Sequence, residues 1–70
     1  MLHPKSVNQQ ALRAGKRYML HITNSQFGSV LSPEFTTTRH LAEVRAKDLS
    51  RVGLTAKVFL IMENGDLLAA

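Results

Sequence analysis

"TAKVFLIMENGDLLAA", residues 55–70, holds a continuous apolar run, a turn dipeptide and a second apolar run. Val58, Phe59, Leu60, Ile61 and Met62 do not alternate with polar residues. A short unbroken run of this kind predicts a central strand buried on both faces. Asn64-Gly65 between the two runs is the strongest short-range hairpin signal in the chain, because both central positions of a type I′ turn require positive φ. Leu67 and Leu68 then return as the last strand.

A helix precedes this hairpin. "TRHLAEVRAKDLSRVG", residues 38–53, predicts a helix over 39–52, with Thr37 or Thr38 as N-cap and Gly53 as the left-handed stop. At about 100° per residue, His40, Lys47 and Arg51 share one basic stripe. Leu41, Leu49 and Val52, with Ala42 and Ala46, form the opposing apolar side. Arg45 lies between Leu41 and Leu49 in angle and so marks the border of the covered face. One reading lays its stem along a sheet edge while the guanidinium reaches water or Asp48. The other puts Arg45 and Asp48 on a seam with a partner or a second subunit, where arginine is enriched.

Before the helix, "RYMLHIT" (residues 17–23) alternates: Tyr18, Leu20 and Ile22 on one side, Arg17, Met19, His21 and Thr23 on the other. The turn-rich "NSQFG" ends this strand. "SVLS" (residues 29–32) is expected as a short hairpin partner, interrupted by Pro33 and resuming around Phe35. At the start of the chain, Ser6 and Gln9 fit a capping box and Gly15 a stop, so residues 7–14 form a short docking helix or stay a flexible arm. The expected fold is α+β in one small domain: a mostly antiparallel sheet of three to four strands packed by one main helix, in the order (short helix)-β-β-α-β-β.

The segment "FTTTRHLA", residues 35–42, superficially resembles the Phe-x-Thr lead into the helix of the arm-binding domains of tyrosine recombinases. Leu41 stands where those domains carry alanine, and Tyr18 is the single aromatic residue on the first strand. No family is assigned on these residues.

Composition narrows the functional classes. The chain of 70 residues has no cysteine, which excludes disulfides and thiolate metal sites. It carries nine Lys and Arg against five Asp and Glu, a net charge of +4, which favours polyanionic partners. No apolar run approaches a membrane span and the first residues lack a signal-peptide core, so a cytoplasmic protein without membrane contact is expected. His3, His21 and His40 fall on separate elements without metal-ligand spacing, and the glycines are too far apart to cradle a phosphate. Glu63 and Asp66 read as turn chemistry. Neither an enzyme, a cofactor nor a small-molecule substrate is expected.

Two binding classes remain. One helix covers one sheet face, yet Phe59 and Ile61 oppose Val58, Leu60 and Met62, and Met19 opposes Leu20. The second face calls for a cover, either the amino-terminal segment with Leu2, Val7 and Leu12 or a second copy of the chain. The leading expectation is a non-enzymatic protein-binding module that forms a homodimer, with Met19, Arg45, Asp48, Phe59 and Ile61 as interface candidates. The alternative is backbone-directed nucleic-acid binding through Arg13, Lys16, Arg17, His40, Lys47 and Arg51. Base-stacking aromatics are scarce, and Tyr18 reads as a core residue.

Overall fold

The computed structural model describes residues 4–70. Leu2 and His3 lie outside the described residues. The elements run α1 (Pro4–Arg13), β1 (Tyr18–Asn24), β2 (Glu34–Thr36), α2 (Arg39–Ser50), β3 (Leu54–Ile61) and β4 (Leu67–Ala69). The strands form a four-stranded antiparallel sheet in the order β2-β1-β3-β4, with β1 and β3 central. The fold is α+β, with α2 on one face and α1 on the other.

Alternation in β1 divides the core between these faces. Leu20, with no exposed surface, and Ile22 pack with Ala42 and Leu49 of α2, supported by Tyr18, Ala46, Leu54, Ala56 and Val58. Met19 turns the other way and is buried with Ala11 of α1 and Ile61 of β3. The run in β3 is thus used on both sides, as its lack of alternation predicts. Met62 falls outside the strand and is exposed, because the chain has already entered the turn.

That turn departs from the expected type. Gly65 has φ +89 but Asn64 does not have positive φ. The Gly65 N–H donates to Met62 O at 2.9 Å and the Met62 N–H to Asp66 O at 2.7 Å. These bonds define a three-residue loop closed by a left-handed glycine, rather than a type I′ turn.

The second strand also shifts. Val30 makes only an isolated bridge with Thr23, and the strand proper is Glu34–Thr36. The Leu31 N–H donates to Ile22 O while Glu34 stands opposite Leu20, so Ser32 and Pro33 together face His21. Two residues against one is a bulge, and proline without an N–H fits there.

Both helices differ from expectation at their ends. Thr38 caps α2, its hydroxyl accepting from the Leu41 N–H at 3.2 Å, but the helix stops at Ser50, and Gly53 (φ +81) turns the chain into β3. Helix α1 begins at Pro4, a residue suited to a first helical turn. Ser6 therefore sits inside the helix and is not its cap. The Gly15 N–H donates to Leu12 O and the Lys16 N–H to Ala11 O, the paired bonds of a Schellman ending.

Candidate protein-binding surface

Helix α1 occupies the sheet face that the sequence left without a cover. Met19 and Ile61 lie beneath it, with Leu12, Phe35 and Phe59 packed around them. They belong to the chain's own interior rather than to a free face. The helix is also held by polar bonds to the β3–β4 turn. Asn8 is the one buried polar side chain among the described residues, and its Nδ2 donates to Gly65 O at 2.8 Å. Gln9 Nε2 donates to Asn64 O at 3.3 Å, and Lys5 pairs with Asp66 at 2.8 Å. Lys5 holds the Asp66 carboxyl below its ordinary range, helped by a bond from Asn64.

Exposed apolar side chains stand in two regions, Met62, Leu67 and Leu68 at the β3–β4 hairpin and a second group around α2. Helix α2 seats on Ala42, Ala46 and Leu49. Seated on this narrow face, the helix leaves Leu41 (50 % exposed), Val44 and Val52 (72 %) outside. This corrects the expectation that Leu41 and Val52 face the core. The connection between β1 and β2 adds Phe27 (75 %), Val30 (67 %) and Leu31. The Ser25 N–H donates to Gly53 O at 3.0 Å, which ties that connection to the turn beside Val52.

Arg45 anchors the helix edge within this region. Its Nε and Nη2 donate to the two carboxylate oxygens of Glu34 on β2, at 2.8 and 3.0 Å. The paired bonds hold the Glu34 carboxyl below its ordinary range and raise the guanidinium. Asp48, the partner expected from spacing, pairs instead with Arg51 at 3.5 Å. In helical angle Arg45 stands within roughly 40° of Leu41, while Val52 lies in the turn after the helix. A bidentate ion pair thus sits on the same side of the helix as the exposed Leu41.

The remaining charge is distributed unevenly. Among the described residues, four ion pairs use Lys5, Arg39, Arg45 and Arg51 with Asp66, Glu43, Glu34 and Asp48. Among the described residues Arg13, Lys16, Arg17, Lys47 and Lys57 have no ion-pair partner, and Glu63 is the one acid without one. Arg13, Lys16 and Arg17 gather at the corner joining α1 to β1. Lys47 and His40 line a shallow groove on α2 with Glu43 and Val44. Arg13 ends α1, and Lys16 and Arg17 lie in the link to β1, whereas His40 and Lys47 stand on α2. Lys57 stands directly opposite His21 of β1 and was not among the candidates read from the sequence. No helix of the described residues is long and apolar enough to cross a membrane.

A narrow apolar seat for α2, a polar clasp for α1 and exposed aliphatic side chains along α2 define this α+β chain. Comparison with protein-family models, curated proteins and solved structures finds no match to it.

Proposed function

We propose that the chain is a small cytoplasmic binding module without catalytic chemistry of its own, acting through a protein-protein surface on the outer side of α2. The observation that carries this reading is the exposure of Leu41 and Val44 on α2 and of Val52 in the turn after it, together with the apolar β1–β2 connection tied to that turn and the Arg45–Glu34 pair. Contiguous exposed apolar surface marks interaction sites, and arginine is enriched at their centres. Self-association is the simplest form of the reading, since a two-fold axis lets one patch cover its own copy.

Sedimentation over a concentration series tests it. The expected result is a dimer at high concentration that Val52→Asp and Leu41→Asp convert to monomer while circular dichroism stays unchanged. A strict monomer at every concentration removes the self-associating form. Patch variants indistinguishable from the parent in mass and in solubility remove the surface itself.

A second reading is supported by the charge surplus on the five cations without partners. It is backbone-directed nucleic-acid binding, with affinity that falls steeply as salt rises. Titration with labelled duplex and single-stranded DNA and RNA separates the two readings. Absence of binding at low salt ends the second.

A further inference from the structure

The connection between β1 and β2 is held more firmly than its exposure suggests. From Ser25 to Pro33 every residue is exposed. Yet each N–H from Asn24 to Gly28 has an acceptor within the chain. Asn24 donates to Ser29 O at 2.8 Å, Ser25 to Gly53 O at 3.0 Å and Gly28 to Asn24 O at 2.7 Å. The Asn24 side-chain oxygen accepts from the Gln26 N–H at 2.9 Å and from the Phe27 N–H at 3.0 Å. The hydroxyls of Ser25 and Thr55 share a bond at 2.8 Å, and the left-handed Gly28 (φ +71) closes the turn. Phe27, the most exposed large apolar side chain among the described residues, is thus presented on a fixed loop. An aromatic anchor whose backbone is set before contact loses little freedom on burial, and amides already satisfied cost little to take out of water.

The loop also differs from the rest of the surface in charge. Between Arg17 and Glu34 there is no Asp, Glu, Lys or Arg, the longest such stretch in the chain. Val30 and Leu31 stand exposed inside it, and the exposed Val52 adjoins the Gly53 whose carbonyl receives the Ser25 N–H. Two copies of a chain with a net charge of +4 repel each other. The charge-free loop is where they meet with least repulsion, and it offers a charged partner nothing to pair with.

We propose that this loop is the contact between two copies of the chain, with Phe27 of each seated on Val30, Leu31 and Val52 of the other about a two-fold axis. Such a contact is self-complementary, so one patch supplies both the anchor and its seat. It rests on the self-associating form of the reading above and moves the centre of that surface from Leu41 and Val44 on α2 to the loop beyond the helix.

Sedimentation of the full chain over a concentration series, at low and moderate salt, is the first measurement. Phe27→Ser should weaken the dimer at least about tenfold, the scale of losing a central aromatic anchor, with circular dichroism unchanged. Gln26→Lys should weaken it about fivefold at low salt and less at moderate salt. Mixed with Gln26→Glu, it should form a mixed dimer tighter than either variant forms with itself. Isotope-filtered NMR on a mixture of labelled and unlabelled chains should find the Phe27 ring beside the methyl groups of Val30, Leu31 or Val52 of the other copy. A dimer that survives Phe27→Ser but is lost in Leu41→Asp overturns the loop contact and leaves the α2 surface standing. A strict monomer at every concentration overturns the contact together with the self-associating form of that reading. Binding of a monomer to vesicles of phosphatidylcholine and phosphatidylglycerol, lost in Phe27→Ser, would assign the loop to a lipid surface and overturn the contact equally.

Discussion

The two helices lie on opposite faces of one sheet and are held by different forces. Helix α2 rests on area: Leu20 and Ile22 are fully covered by Ala42 and Leu49, and its ion pair with Glu34 sits at the rim. Helix α1 meets the sheet through a smaller cluster, Ala11 with Met19 and Ile61, and is fixed by bonds from Lys5, Asn8 and Gln9 to a single turn. Hydrophobic burial is non-directional and tolerates small displacements. Hydrogen bonds to a turn do not. The position of α2 should therefore respond to lost volume, and that of α1 to the geometry of Gly65.

Leu20→Ala tests the first half. Leu20 has no exposed surface and stands at the centre of the α2 face. Removing it leaves a cavity in a core too small to relax around it, at a cost of about 3 kcal/mol. Denaturant unfolding should show this as a lower midpoint with helix and sheet signals lost together. A loss below about 1 kcal/mol would mean that the face refills easily and that area is not what holds α2.

Gly65→Ala tests the second. A Cβ at this position would lie 2.7 Å from Lys5 O and 3.2 Å from Lys5 Cα, and the backbone has φ +89. Left-handed backbone and a clash with another main chain together should cost about 2 kcal/mol. The effect is expected to be local. Amide exchange should quicken across α1 while β1 and α2 keep their protection, because undocking α1 leaves the Leu20 cluster intact. Asn8 would then lose its acceptor in Gly65 O, and Gly65 O its donor, which deepens the loss. Uniform loss of protection across both helices would show instead that the two faces unfold as one.

Much of this arrangement was legible from residues close in sequence. The period of two in residues 17–23 assigned Leu20 and Met19 to opposite faces, and the unbroken run in 58–62 placed β3 at the centre, although Met62 lies beyond the strand. Asn64-Gly65 located the hairpin, though not its turn type. What escaped depends on residues far apart. Asn8 reads as an ordinary polar helix residue until Gly65, distant in the chain, is brought against it. A helical wheel weights Leu41 above Ala42, yet small residues let a helix approach a sheet closely, and α2 seats on the alanines. Arg45 was correctly placed at the edge of the covered face. Its partner was not, because Asp48 is a neighbour by helical spacing whereas Glu34 arrives only through strand pairing.

The ion pairs at the two helices offer the finest separation of the faces. Arg45 donates two hydrogen bonds to Glu34 and lowers its carboxyl in the folded chain. Lys5 does the same for Asp66 at α1. A carboxyl with a lowered folded value lets the unfolded chain take up protons first, so its stabilising share is full above the unfolded value and disappears as pH falls through the folded one. Both pairs are substantially exposed, so salt should screen them and the effect should be the smallest of these. Carboxyl titration by NMR should find Glu34 returning toward the ordinary glutamate range in Arg45→Met, with Asp66 unmoved; Lys5→Met should do the reverse. At the acid end, each variant should flatten only its own part of the stability curve. An Asp66 response to Arg45→Met would mean that the two rims communicate through the sheet, and α1 and α2 could no longer be treated as separately held.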